Sequence, residues 1–166
     1  GIEKHVSLKL RREQVLNWYM ASEQVRQMNV QCNRASVAAQ RLFAEQGMAC
    51  CILKGQGNAV NYPSPYIRMC GDVDIWVDGG VQKVLKLVRQ WVPNAMSDCH
   101  HVEFKEVEGV EVEVHFSPAF TNNMIRSRRM QRWFEQMAEE QFAHVVSLPD
   151  GVGEMSVPTP AFNRIF

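Results

Sequence analysis

The sequence predicts an α+β protein with a small mixed β-sheet flanked by helices and with helices at its N-terminal end. Three observations indicate this class. Short apolar or alternating runs typical of strands are interleaved with longer patterns typical of helices. Two alternating runs are separated by the compact turn Glu108-Gly109, which is typical of a β-hairpin. A proline-free segment rich in helix-favouring residues precedes the first strand.

The N-terminal helical segment is predicted over residues 1–47, packed on the core. Apolar side chains recur at helical spacing in two stretches from about residue 7. We therefore predict two helices, with a break near residues 28–33 and an end at Gly47. An apolar run at residues 48–53 predicts a buried strand, which leads into a glycine turn at residues 54–57 and a short helix at residues 56–62.

The remaining elements complete a core predicted over residues 48–157. A strand at residues 71–77 precedes a helix at residues 81–92, and the hairpin strands, a long helix and a pair of short strands follow at residues 101–107, 110–116, 122–142, 143–148 and 155–157. The last nine residues, 158–166, have the pattern of a turn and the start of a helical region. We expect the chain to be the N-terminal part of a longer protein.

Composition limits the classes of partner and compartment. Eighteen basic residues balance 18 acidic residues, so the net charge does not indicate a long polyanion as partner. The five cysteines are an odd number without a Cys-x-x-Cys spacing, which favours a reducing, cytoplasmic compartment. No apolar run approaches the roughly 18 residues of a membrane helix, so no membrane partner is expected.

Acidic side chains share one face of two predicted strands. Asp72 and Asp74 are two apart and project to the same side, while the intervening apolar residues point into a core. Glu111, Glu113 and His115 repeat this alternation on the second strand. Because neighbouring carboxylates repel each other, a bound divalent cation is the simplest agent that would hold them together.

Carboxylate ligands suit Mg²⁺ or Mn²⁺, and a pair of such ions about 3.5–4 Å apart can act on the attacking and leaving oxygens of a nucleotidyl transfer. The glycine turn would lie under the triphosphate of a nucleoside triphosphate. Lys54 and Arg68 can neutralise the phosphate charge. The spacing of His100 and His101 with Cys99 and Glu103, in contrast, fits no standard zinc pattern.

Four short motifs carry a resemblance to a known family. They are Leu53-Lys54-Gly55, Tyr62-Pro63 with Arg68, Gly71-Asp72-Val73-Asp74-Ile75, and Val112-Glu113-Val114-His115-Phe116. In this order and separation they resemble the uncharacterised bacterial nucleotidyltransferase family of the DNA polymerase β-type superfamily. The resemblance implies a nucleotidyltransferase-like core, in which a small mixed sheet is flanked by helices.

The resemblance also implies roles for particular residues. Asp72 and Asp74 correspond to metal ligands, and Glu113 corresponds to the third carboxylate, with Glu111 as the rival for that role. The residues expected around the nucleotide are Lys54, Gly55, Gln56, Arg68 and His115. Two positions depart from the usual superfamily pattern: Gln56 stands where serine is common after the glycine, and the third acidic residue is Glu where Asp is common.

The implied function is a metal-dependent transfer of a nucleoside monophosphate from a nucleoside triphosphate to an acceptor hydroxyl, with release of pyrophosphate. The acceptor can be a small molecule, a protein or a nucleic acid end. The alternative is a catalytically degenerate module that binds a nucleotide or a partner, which the departure at Gln56 favours. In either case His115 can orient a carboxylate, contact phosphate or serve as a hydrogen-bonded structural residue.

Overall fold

The computed structural model describes residues 10–165 and confirms the α+β class. The helices in this range are α1 (Arg12–Ala44), α2 (Lys54–Ala59), α3 (Gly80–Trp91), α4 (Met124–Ala143) and α5 (Pro160–Asn163). The strands are β1 (Cys50–Ile52), β2 (Val73–Val77), β3 (His101–Glu103), β4 (Val112–His115), β5 (Val145–Ser147) and β6 (Glu154–Ser156). None of the described helices is both long enough and apolar enough to cross a lipid bilayer.

The central sheet is mixed, as predicted. Its strand order is β1-β2-β4-β3, with β2 and β4 parallel in the middle and the two edge strands antiparallel to their neighbours. Parallel neighbours need a long connection, which here runs through α3 and β3. Strands β5 and β6 form a separate antiparallel pair, and a short 3₁₀ helix, Pro149–Gly151, lies between them.

One face of the sheet carries the main hydrophobic core. The alternation predicted for β2 and β4 places Val73, Ile75 and Val114 on this face, where each is at most 1% exposed. They pack with apolar residues of α1 and α3, including Phe43 and Val88. Burial of these side chains stabilises the fold by about 25 cal/mol per Å² of apolar area.

The opposite face is covered in part by an aromatic cluster that joins β2 to α4 and α5. Its members are Trp76, Trp133, Phe134, Phe142 and Phe162. The ring centroids of Trp76 and Phe142 are 4.7 Å apart, and those of Trp133 and Phe162 are 4.9 Å apart in a stacked arrangement. This packing covers the Trp76 end of β2 and leaves the Asp74 end to polar groups.

Helix α1 is one continuous helix of 33 residues, so the predicted break near residues 28–33 is wrong. The part of that prediction that falls on residues 7–9 lies outside the described residues. Asparagine lowers helix propensity because its amide competes for backbone groups. Here hydrogen bonds to other segments occupy these amides: Asn29 Nδ2 donates to the carbonyl oxygen of Arg68, besides that of Val25 within the helix, and Asn33 Oδ1 accepts from Gln56.

Gly57 lies where α2 passes over the end of β1. A Cβ atom at this position would lie 2.2 Å from the carbonyl oxygen of Ile52, so a side chain requires the backbone to move. An alanine inside a helix normally stabilises it by about 1 kcal/mol relative to glycine. We expect the opposite sign for Gly57→Ala, a loss of about 1–3 kcal/mol in the free energy of unfolding, measured by urea denaturation.

Gly71→Ala is the matched control for this substitution. A Cβ atom at Gly71 would have no neighbour within 4 Å, and its φ angle is not in the left-handed region. Its unfolding free energy should therefore stay within about 0.5 kcal/mol of the parent protein. Equal stability of the Gly57→Ala and parent proteins would contradict the close approach of α2 to β1.

Candidate active site

The central parallel strands bring two carboxylates side by side. Asp74 on β2 and Glu113 on β4 are direct cross-strand partners, and Trp76 and His115 form the next pair on the same face. The His115 ring lies between the two acids, with Nε2 2.8 Å from Asp74 Oδ1 and 3.6 Å from Glu113 Oε2. One ligand atom from each of the three residues lies within 4.8 Å of the others. We call these three residues the acidic cluster.

The three side chains of the acidic cluster differ in their exposure to solvent. The side chain of His115 is fully buried and that of Asp74 is 7% exposed, whereas that of Glu113 is 34% exposed. Lys54 approaches from the start of α2, and its Nζ lies 2.9 Å from Asp74 Oδ1 with the side chain 46% exposed. A cation is thus already paired with the buried carboxylate.

Asp74 is held in its ionised form. Burial acts to raise its pKa, but the hydrogen bonds from His115 and Lys54 outweigh burial and lower the pKa of Asp74 below its ordinary value. An ionised carboxylate only accepts hydrogen bonds, so Nε2 of His115 carries the proton that it donates to Asp74. Nδ1 of His115 is buried, and among residues 10–165 it has no hydrogen-bond partner.

Asp72 lies just before β2 and is exposed. It is absent from the groups of three potential metal ligands that residues 10–165 form, as is Glu111. The fold therefore brings Asp74, Glu113 and His115 together, and the exposed Asp72 is not part of this group. Of the two rival glutamates, only Glu113 stands next to Asp74.

The glycine turn lies beside the acidic cluster. Lys54 begins α2 with a φ of +42°, a left-handed backbone conformation that costs non-glycine residues of order 1–3 kcal/mol and is concentrated at functional sites. A Cβ atom on Gly55 would lie 3.4 Å from Arg68 Nη1, so Arg68 packs over this glycine. Arg68 Nη1 is itself buried, with no hydrogen-bond partner in the described part of the chain.

The side chain of Gln56 points towards α1 and not towards the acidic cluster. Its side chain is 2% exposed, and its Nε2 donates to Asn33 Oδ1 at 2.7 Å and to the carbonyl oxygen of Asn29 at 3.3 Å. Both acceptors belong to α1, so the amide fixes α2 against that helix. Any contact of Gln56 with a nucleotide would come from its backbone.

Two histidines that the sequence argument left without a role lie next to the acidic cluster. His101 is the cross-strand partner of His115, and its Nε2 is 3.8 Å from Glu113 Oε1. The ring centroids of His100 and His101 are each 5.3 Å from that of His115. Burial lowers the pKa of His100, against the opposing attraction of Asp98.

The register of the hairpin explains why the position of His101 beside His115 was not predicted. The turn at Glu108-Gly109 has both residues at positive φ and pairs Val107 with Val110, which confirms the predicted hairpin. Continuing that register would pair His115 with Val102, yet the strands pair His115 with His101. A shift of one residue moves every side chain to the other face of a strand. The presence of His101 beside His115 cannot be read from the turn alone.

A mixed sheet flanked by helices, with acidic side chains on neighbouring strands, is consistent with a nucleotidyltransferase-like fold. A comparison with known families gives the same class. The family model described as "Uncharacterised nucleotidyltransferase" matches residues 2–152, and the chain therefore belongs to this family. The family assignment indicates an enzyme whose general reaction is nucleotidyl transfer. No curated protein matches the sequence.

Proposed function

We propose that the protein transfers a nucleoside monophosphate from a nucleoside triphosphate to an acceptor hydroxyl and releases pyrophosphate, in a reaction that requires Mg²⁺ or Mn²⁺. The observation that carries this proposal is the pairing of Asp74 with Glu113 across parallel strands, where His115 contacts both acids. The nucleotidyltransferase family supports the general reaction. The acceptor is a small molecule, a protein or a nucleic acid end.

The residues proposed to hold the metal are Asp74 and Glu113, and the exposed Asp72 is proposed as a further ligand. Their chemistry fits a hard divalent cation, since carboxylate oxygens are preferred by Mg²⁺ and Asp74 is already ionised beside a cation. When bound, the ion supplies positive charge to the phosphates and to the oxygens that are exchanged. His115 holds the Asp74 carboxylate in place through its hydrogen bond.

The proposed nucleotide contacts come from the glycine turn and its basic neighbours. Arg68 Nη1 is a buried donor without a partner among residues 10–165, and leaving such a donor unpaired costs about 1–3 kcal/mol. A phosphate oxygen over Gly55 would satisfy it. Lys54 has a half-exposed side chain, so its ammonium can exchange Asp74 for a phosphate when the metal binds. These groups position and neutralise the triphosphate, and no protein nucleophile is needed.

The second candidate function is a degenerate module that binds a nucleotide or a partner without catalysis. The Lys54 to Asp74 ion pair favours it, because Lys54 places its own positive charge on the carboxylate that a metal would use. The absence of Asp72 from the groups of potential metal ligands that residues 10–165 form favours it as well. The two functions differ in their dependence on metal.

Titration of each nucleoside triphosphate by calorimetry, with and without Mg²⁺, distinguishes the two functions. For the enzyme we expect binding that requires Mg²⁺ and, with a mixture of candidate acceptors, release of pyrophosphate. Binding of equal strength in the presence of a chelator, without pyrophosphate release, would support the module instead. No binding of any nucleoside triphosphate in Mg²⁺ or Mn²⁺ would contradict both nucleotide-based functions.

We also propose the origin and location that the sequence favours. We propose a bacterial origin and a place for the family within the DNA polymerase β-type superfamily, which the resemblance of the motifs around Asp72 and Glu113 supports. The cytoplasm is the proposed compartment, supported by cysteines that are all unpaired, four of them buried and Cys99 exposed.

A further inference from the structure

Three imidazole rings meet at the edge of the sheet where β3 pairs with β4. A nitrogen atom from each of His100, His101 and His115 lies within 4.8 Å of the other two. The two outer rings are partly exposed, at 24% for His100 and 21% for His101, and the inner ring is fully buried. We propose that these residues, which we call the histidine cluster, bind one transition-metal ion of the Zn²⁺ type, at a site that shares His115 with the acidic cluster.

The buried member of the cluster has the form of a metal ligand. His115 donates its Nε2 proton to the ionised Asp74, so Nδ1 is the ring nitrogen that can offer an unshared electron pair to a metal ion. Within the described residues this buried Nδ1 has no hydrogen-bond partner. A carboxylate that holds one ring nitrogen while the other binds metal is the usual setting of histidine ligands for zinc.

A second carboxylate holds the two outer rings. Asp98 Oδ1 accepts the backbone N–H groups of both His100 and His101, at 2.8 Å and 3.0 Å. The same oxygen lies 3.2 Å from Nδ1 of His100 and 3.3 Å from Nδ1 of His101. Nδ1 of His101 also lies 3.5 Å from Nε2 of His100, and Nδ1 of His100 lies 3.5 Å from Sγ of Cys99. A neutral imidazole has one nitrogen with an unshared electron pair, so each outer ring can offer one ligand atom. Every ring of the histidine cluster therefore lies beside a carboxylate, since His115 contacts Asp74 and the two outer rings share Asp98.

The backbone fixes the cluster independently of any ion. His101 and His115 are cross-strand partners, and the carbonyl oxygen of His100 accepts N–H groups of Phe116 and Ser117 at the end of β4. The ligands therefore come from two segments that the sheet already holds together. Three imidazoles with a solvent-exposed side fit Zn²⁺ with a fourth, water ligand, whereas Mg²⁺ prefers oxygen ligands. The inference does not depend on the proposed function, since Zn²⁺ binding can be measured without a nucleotide.

The test is a calorimetric titration of the chelator-treated protein with Zn²⁺, and a parallel titration with Co²⁺ followed by its visible absorption. We expect one equivalent to bind, a Co²⁺ spectrum of a four-coordinate site, and no displacement by excess Mg²⁺. His100→Gln and His101→Gln should each weaken Zn²⁺ binding by at least about tenfold. Both rings are partly exposed, so these variants should keep their fold, which far-UV circular dichroism checks.

Two further variants locate the ion. His144→Gln is the matched control, because His144 lies outside the cluster with its Nδ1 at 2.8 Å from the carbonyl oxygen of Val157, and its Zn²⁺ affinity should equal that of the parent protein. Cys99→Ser should also bind normally. Loss of binding in Cys99→Ser with retention in His101→Gln would place the ion at Asp98, Cys99 and His100 instead and overturn the proposal. Unchanged affinity in both His100→Gln and His101→Gln, or displacement by Mg²⁺, would also overturn it.

Discussion

Asp74→Asn is expected to lower Mg²⁺-dependent pyrophosphate release by about 10²–10³-fold or more, since it removes a charge that faces the proposed metal and triphosphate. The substitution keeps the volume of the side chain, and the new amide oxygen can still accept the proton of His115 Nε2. What is lost is the negative charge at 2.9 Å from Lys54 Nζ. Initial rates of pyrophosphate release at saturating Mg²⁺ measure the effect.

Asp78→Asn is the control for this variant. Asp78 directly follows the same strand and is exposed. It belongs to none of the groups of potential metal ligands that residues 10–165 form. The same chemical change there should leave the rate within about twofold, as expected for a surface substitution that changes stability by less than about 0.5 kcal/mol. Equal rates for Asp74→Asn and the parent protein would refute the proposed role of the acidic cluster.

The rate loss must be separated from a loss of stability. Because the pKa of Asp74 is lowered from its ordinary value of 3.8, its ionised form stabilises the fold. This contribution is present above pH 3.8 and is lost as the pH falls through the lower folded value. Asp74→Asn lacks this stabilisation at neutral pH, so its free energy of unfolding should be measured by urea denaturation. The rates of the two proteins should then be compared under conditions in which both are fully folded.

Phe162→Ala should lower the free energy of unfolding by about 3–5 kcal/mol, the range for removing a buried aromatic ring. Phe162 is 1% exposed and contacts the rings of Trp76, Trp133 and Phe134. Its removal leaves a cavity between β2 and α4, which the surrounding rings can fill only in part. Urea denaturation followed by tryptophan fluorescence measures both the stability and the altered surroundings of the tryptophans.

Ile165→Ala is the control in the same C-terminal segment. Ile165 is 73% exposed, so its truncation should change the unfolding free energy by less than about 0.5 kcal/mol. A small effect of Phe162→Ala, similar to that of Ile165→Ala, would mean that the last helix contributes little to the aromatic cluster.

Local pattern was sufficient to predict the sheet and part of the site. Strict alternation in β4 placed Val112 and Val114 on one side and Glu113 and His115 on the other, because strand geometry has a period of two residues. The same rule applied to β2 placed Asp74 and Ile75 on different faces of the sheet. That the two strands are direct neighbours followed from the resemblance to the family, and periodicity alone did not show it.

Tertiary contacts explain what the sequence could not predict. The break expected in α1 came from the gap between two stretches of apolar side chains at helical spacing, whereas the helix continues through this gap with Asn29 and Asn33 bonded to other segments. The burial of Gln56 depends on where α2 packs, and the contact between Lys54 and Asp74 depends on a left-handed residue that sequence patterns do not mark. The place of His101 depends on a one-residue register shift.

The parallel pairing of β2 with β4 also determines when the site can exist during folding. Asp74 and His115 are 41 positions apart in the chain, whereas the β3–β4 hairpin closes through a short turn. Hairpins form in about 1–10 μs, and contacts between distant segments are slower because more chain entropy is lost before they form. During refolding, the histidines of β3 and β4 can therefore come together before Asp74 pairs with His115.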